Sequence, residues 1–232
     1  MISSSVLRGW LAEAAAVVSP VCCAGCGAAD VGVCPECRDA LRPSLQRVRA
    51  GPVSVLVALE YGGVVAHVLG AVKERGRTDA LGALAGSFGV ALEVASSTSS
   101  TSSVIVTVPS ARAAVRRRGF RPVEELVRRS GAGLAPVRGG LVLVRDVADQ
   151  AGLGVEERRA NLSGALRASA RLTGRHVLIV DDVLTTGATL LEARRALVAV
   201  GAHVEGAVCL AYTRRRDGRG EAQVTQRRPA GS

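Results

Sequence analysis

Residues 176 to 193 read HVLIVDDVLTTGATLLEA, an apolar run leading into Asp181 and Asp182, then a turn and an apparent helix. The turn is Val183-Leu184-Thr185-Thr186-Gly187-Ala188-Thr189. Unpaired N–H groups and the positive dipole end of a helix N-terminus suit a phosphate. Thr185, Thr186 and Thr189 add hydroxyl donors. Gly187 reaches backbone conformations closed to other residues, so the amides can wrap an anion. The two carboxylates cannot bind that phosphate directly. They suit vicinal hydroxyls, or a Mg²⁺ that the ligand also binds. A ribose 5-phosphate meets both demands. Solvated aspartates at a strand end and an ordinary capped helix would satisfy the same spacing without a ligand.

A second cluster is CCAGCGAADVGVCPEC, residues 22 to 37. It holds Cys23-x2-Cys26 and Cys34-x2-Cys37, spaced as two knuckles that can close a tetrahedral thiolate site around Zn²⁺. Four thiolates leave no open position, so such a zinc is structural. Disulfides or free thiols are the other reading, and Cys22 competes with Cys23 as a ligand. Glycines 25, 27 and 32 allow tight turns. The segment has almost no other core of its own, so metal is expected to supply its folding energy, on the order of 10 kcal/mol in isolated fingers. Cys209 lies in an apolar run and reads as a small buried hydrophobe.

These groups need a scaffold. The chain has 232 residues, 48% hydrophobic and 2% aromatic, so its core must be Val, Leu, Ile and Ala. That length suggests one medium domain plus a small module. The formal charge is +10, and every basic residue except Lys73 is Arg. The surplus draws phosphates of any kind and does not choose among nucleotide, nucleic acid and lipid. Residues 2 to 18 read as a short helix, 43 to 51 as a basic linker and 53 to 61 as a strand. Helical patterns follow at 63 to 75 and 78 to 94, and SSTSSTSS at 96 to 103 reads as a surface loop. Strands at 104–108, 141–144, 165–168, 176–181 and 203–212 alternate with helices at 119–130 and 189–200, with a long polar loop at 145 to 157. That order argues a parallel sheet covered on both faces. The segment from Thr213 reads as a disordered basic tail. No apolar stretch reaches about 18 residues, so no membrane insertion is expected. No signal peptide is evident, and a cytoplasmic location with reduced cysteines is expected.

The stretch VLIVDDVLTTGAT resembles the phosphoribosyl pyrophosphate (PRPP) signature of type I phosphoribosyltransferases. SPVCCAGCG, VPSARAAVRRRGF and LVRDVADQAGLGVEERRANLSGAL are similar to segments of the ComF family of competence-associated proteins. That resemblance covers roughly residues 10 to 212. It implies an α/β phosphoribosyltransferase fold over 43–212, after a helix and zinc-ribbon-like module at 1–42, with 213–232 as tail. It also implies that the loop at Ser110 cradles pyrophosphate, with Arg118 and Lys73 neutralising it while Asp181 and Asp182 hold the ribose. A polar loop carrying Asp149, Gln150, Arg158, Arg159 and Asn161 would close over PRPP. The family pattern continues Gly-Phe-Asn-Gln where this chain has Gly119-Phe120-Arg121-Pro122.

Two functions follow. One is an enzyme that transfers a phosphoribosyl group from Mg²⁺-bound PRPP to an acceptor the sequence does not reveal. The other is a non-catalytic accessory of DNA uptake that binds single-stranded DNA or a competence helicase. Aromatics for base stacking are scarce, which weighs against the second.

Overall fold

Residues 53–60, 176–184 and 203–212 are dominated by Val, Leu, Ile and Ala, and they form the centre of the sheet. The computed structural model describes residues 21–98, 102–145 and 161–214. The helix expected at 2–18, the polar loop after Arg145 and the tail beyond Arg214 lie outside the described residues.

The main sheet has five strands in the order β1-β2-β7-β6-β3. These are β1 (Gln46–Ala50), β2 (Val53–Glu60), β7 (His203–Tyr212), β6 (His176–Leu184) and β3 (Val104–Thr107). β2, β7, β6 and β3 are mutually parallel. Nearly continuous burial along β2, β6 and β7 is the mark of a sheet covered on both faces.

Two expectations about this sheet change. The basic linker is in fact edge strand β1, antiparallel to β2 through the turn at Gly51-Pro52. Its alternation of arginines with Val48 and Ala50 is a period-2 pattern, which a charge-based reading misses. The strands at 141–144 and 165–168 do not join the sheet. β4 (Leu141–Leu143) and β5 (Leu166–Ala168) form a separate antiparallel pair.

One face carries α2 (Gly63–Arg75), α3 (Leu81–Ser97) and α5 (Pro122–Arg129). The other carries β4, β5 and α6 (Ala188–Ala199). The helix expected over 119–130 is α5, and a further short helix, α4 (Arg112–Arg118), precedes it and stops at Gly119, whose φ is +79°. The first residues of the Ser/Thr run, expected as loop, are helical, since α3 continues through Ser97. Together, Thr78–Ser97 is long and apolar enough by length and composition to cross a membrane, contrary to the expectation that no such stretch exists. Its Leu81, Leu84, Phe88 and Leu92 are fully buried in the first core, where α3 packs on β2, β7 and α5.

The cysteine segment shares that core. Cys23, Ala24, Val33, Cys34, Cys37 and Leu41 are buried in one cluster with Val65, Leu69 and Leu84. The buried Ser87 hydroxyl donates to the Leu41 carbonyl. The module, with its short helix α1 (Pro35–Ala40), therefore has a core after all, one borrowed from α2 and α3. Local composition could not show it.

Candidate functional site

Parallel strands deliver their carboxyl ends to one side of the sheet, and strand-order reversals leave a crevice there. Here the chain passes from β2 across to the far edge at β3 and then fills in β6 and β7. The loops at 61–62, 108–111 and 185–187 all leave from this side.

Asp181 and Asp182 lie within β6 and not at its end. The ladder continues through Val183 and Leu184, paired to Ala211 and Tyr212. Val183 and Leu184, expected to touch the ligand, thus have their backbones placed in the sheet. The Leu184 side chain is buried in the second core, and Val183 packs on the first. Asp181 Oδ1 accepts the Asp182 N–H at 2.8 Å. Burial, with the neighbouring Asp182 charge behind it, pushes the Asp181 carboxyl up to about 7.

The carboxylates do have a protein partner. Lys73 Nζ, near the end of α2, lies 3.1 and 3.2 Å from the two oxygens of Asp182. Burial disfavours its charge, yet Asp182 and then Asp181 outweigh that, and its pKa lies above the ordinary value. The single lysine is thus next to the dicarboxylate. Arg118, at the end of α4, is close enough to oppose the Lys73 charge. Its Nε is buried and has no hydrogen-bond partner among the described residues. Ser110 is half-buried in the loop between β3 and α4. Arg116 and Arg117 are exposed, and Arg117 reaches Glu74 at 3.5 Å.

After β6, Thr185 is exposed and Thr186 half-buried. The Thr186 hydroxyl already accepts the Ala188 N–H at 3.3 Å, capping its own helix. Gly187 is the N-cap of α6 with φ +79°, the left-handed region that favours glycine. A Cβ there would stand 2.8 Å from the Ala50 Cβ on β1. Space at Gly187 is therefore limited by a neighbouring strand, which no local pattern announces. Ala188 is buried and Thr189 half-buried in the first turn of α6.

Sequence reasoning missed Glu192. This buried carboxylate of α6 accepts the Leu166 N–H at 3.0 Å and a forked pair from Arg195 at 2.7 and 2.9 Å. Arg195 also donates to the Leu166 carbonyl at 2.9 Å. Together they fasten β5, where the chain returns from the polar loop. The i,i+3 spacing of Glu192 and Arg195 was visible, but it reads as a surface pair.

A second centre lies in the cysteine segment, which packs against α2. The thiols of Cys23, Cys26, Cys34 and Cys37 lie within 4.8 Å of one another. Cys26 and Cys34 sulfurs are 3.6 Å apart, and the Cys34 N–H donates to Cys23 Sγ at 3.3 Å. Cys22 is exposed and stands outside the group, so the geometry selects Cys23. Burial raises the Cys23 thiol, but N–H groups of Cys26, Cys34 and Gly25 outweigh it and bring it down to about 6. Four soft donors at this spacing fit a thiophilic cation. Of the three module glycines only Gly27 uses a positive φ, and Gly25 and Gly32 are matters of space. Cys209 is fully buried, as expected, and burial pushes its thiol well up.

The phosphoribosyl transferase domain model matches residues 90–226. Over 69 residues the chain is 41% identical to the DNA utilization protein YhgH of Escherichia coli K12, 30% of each chain. The Salmonella typhi protein of that name is 40% identical over 70 residues, 30% of this chain and 31% of its own. The chain thus spans about a third of the length of these curated relatives. Among solved structures it is similar to Mycobacterium tuberculosis orotate phosphoribosyltransferase in complex with Fe(III) dicitrate. The TM-score is 0.36 at 16% identity, over 77% of this chain and 94% of the other, a likeness too shallow to carry an argument.

Proposed function

The chain belongs to the phosphoribosyl transferase domain family as a ComF-like member, and from that premise we propose that the carboxyl side of its sheet binds PRPP or a related ribose 5-phosphate with Mg²⁺. The observation that carries this reading is the meeting of two unlike groups on one side of the sheet. One is the Asp181–Asp182 pair with Lys73; the other is the Gly187 turn that opens α6. The turn and the first amides of α6 would take the 5-phosphate, with Thr185 and Thr189 as hydroxyl donors. Asp181 and Asp182 would hold the ribose hydroxyls. Lys73 satisfies Asp182 with part of its three-donor capacity and retains donors for pyrophosphate. Arg118 supports the same reading, because its buried Nε lacks an acceptor among the described residues. Mg²⁺ would neutralise the pyrophosphate and fits the dicarboxylate as a hard oxygen-donor set. For transfer to an acceptor, the protein would contribute positioning and charge stabilisation of an oxocarbenium-like state, with no covalent nucleophile.

The four-thiol centre is read as a structural Zn²⁺ site, with residues 1–42 as the zinc module and 43–212 as the phosphoribosyltransferase-like domain.

Calorimetry with Mg²⁺ and PRPP tests the main reading. Asp181→Asn combined with Asp182→Asn is expected to weaken binding at least tenfold, about 1.4 kcal/mol. Unchanged affinity in that folded double variant would remove the site.

The name of these relatives favours a second reading, an accessory role in DNA utilization. Exposed Arg112, Arg116, Arg117 and Arg121 around α4 offer it a basic surface. Titration with single-stranded DNA at two salt concentrations separates the readings. Phosphate contacts weaken steeply with salt, and they should survive the aspartate substitutions.

A further inference from the structure

Arg77 is far in sequence from the cysteines, yet it joins both knuckles. Gly76 closes α2 with φ +65°, and the N–H groups of Gly76 and Arg77 both return to the Ala71 carbonyl. That turn sends the Arg77 side chain back onto the cysteine segment. Its Nη1 donates to the Cys22 carbonyl at 3.0 Å, one residue ahead of Cys23. Its Nη2 donates to the Gly32 carbonyl at 3.4 Å, two residues ahead of Cys34. Asp79 grips the guanidinium with both oxygens, at 2.8 Å to Nε and 2.7 Å to Nη2. Asp79 also explains the glycine at 32, where a Cβ would meet its Oδ2 at 2.7 Å.

We propose that Arg77, oriented by Asp79, is a positioning residue for the four-thiol centre, holding the two knuckles at the separation that brings their sulfurs together. The proposal rests on the reading that the centre holds zinc. The Arg77–Asp79 ion pair alone, partly exposed, would contribute little. What matters is the fork. A planar guanidinium clamped by one carboxylate presents its remaining N–H groups to two carbonyls in fixed directions, which a lysine cannot do. The knuckles are also tied directly, by Ala24 N–H to the Gly32 carbonyl at 2.8 Å, Val31 N–H to the Val21 carbonyl at 2.9 Å and Cys34 N–H to Cys23 Sγ at 3.3 Å. Arg77 adds the tie that connects them to α2. Its positive charge also lies beside a centre that carries two net negative charges when four thiolates surround a divalent ion.

The test is the rate at which the zinc-loaded full chain gives up metal to a chelating dye, together with the thiolate-to-metal charge-transfer band after cobalt substitution. Arg77→Gln is expected to release zinc about tenfold or more faster, in line with outer partners of metal ligands, with an altered cobalt band and unchanged far-ultraviolet circular dichroism. Arg77→Lys is expected to release it nearly as fast, because charge without the fork does not span both carbonyls. Arg75→Gln, at a neighbouring exposed arginine, should match wild type. Asp79→Asn, which keeps Arg77 but loosens its grip, should shift release in the same direction by less and serves if Arg77→Gln does not fold. Release at the wild-type rate from Arg77→Gln, or full retention by Arg77→Lys, overturns the proposal. Wild-type protein purified without zinc would overturn the metal reading itself, a separate outcome.

Discussion

The surroundings of Asp181 disfavour its charged form. Its carboxyl is pushed to about 7 by burial and by Asp182, against an ordinary value of 3.8. Folding therefore favours the protonated form. Its stabilising contribution is whole below about pH 4 and is lost as pH rises through about 7. Asp181→Asn, an isostere of the protonated acid, is expected to stabilise the ligand-free protein by about 1–3 kcal/mol at pH 8 and by almost nothing at pH 4. Urea denaturation at the two pH values checks this, and equal effects at both would show that the carboxyl titrates normally. Gly187 gives a second residue-scale expectation. Gly187→Ala combines a left-handed φ with a contact on Ala50, so a loss of about 1–3 kcal/mol in stability is expected. Adding Ala50→Gly should relieve the clash and leave the φ penalty. If the double variant is no more stable than the single one, β1 does not set the space at this turn. A bound phosphate would thus not be the only reason for glycine here, and PRPP affinities of Gly187 variants have to be read beside their stabilities.

At the scale of elements, α6 does two things. Its first turn faces the candidate phosphate site, and its second turn carries Glu192, which fastens β5. Removing a buried acceptor leaves donors unsatisfied, at about 1–3 kcal/mol for each. Glu192→Leu is expected to destabilise by about 3 kcal/mol and to raise amide hydrogen exchange at residues 164–168 above that of the main sheet. Uniform exchange across both would mean that β5 is not held separately. α2 has a comparable double duty. Lys73 near its end touches Asp182, while Arg77 just beyond it touches the cysteine module. The candidate ligand site and the thiol centre are thus built against one helix.

For the molecule as a whole, the cysteine module is part of the main core, since its buried cysteines pack with Leu41, Val65 and Leu69. Metal removal should be felt by the entire fold. With free zinc about 1,000-fold above its dissociation constant, binding adds about 4 kcal/mol. For a chain of this size that is a Tm difference of about 8–16 °C. Scanning calorimetry with and without a zinc chelator measures it. An unchanged Tm in zinc-loaded protein would separate the module from the folding unit. Hydrogen exchange should show α2 and residues 22–41 loosening first, and β6 with β7 last.

Three things were legible in the chain itself. Alternation of apolar runs with helices gave the parallel centre, because a doubly covered strand must be apolar on both faces. Cys-x2-Cys spacing gave the four converging thiols, because two short loops suffice to bring each pair together. The residues of VLIVDDVLTTGAT located the turn and helix after β6. What local pattern could not show were contacts between distant segments. The basic stretch at 46–50 became a strand only because β2 offered it an edge. The ion pair of Lys73 with Asp182 spans 109 residues, and the hold of Arg77 on Cys22 spans 55. The reason for glycine at 187 includes a methyl group on β1. Periodicity records how a segment meets an averaged interior. Which particular atom stands opposite depends on chain crossings that only the folded sheet fixes.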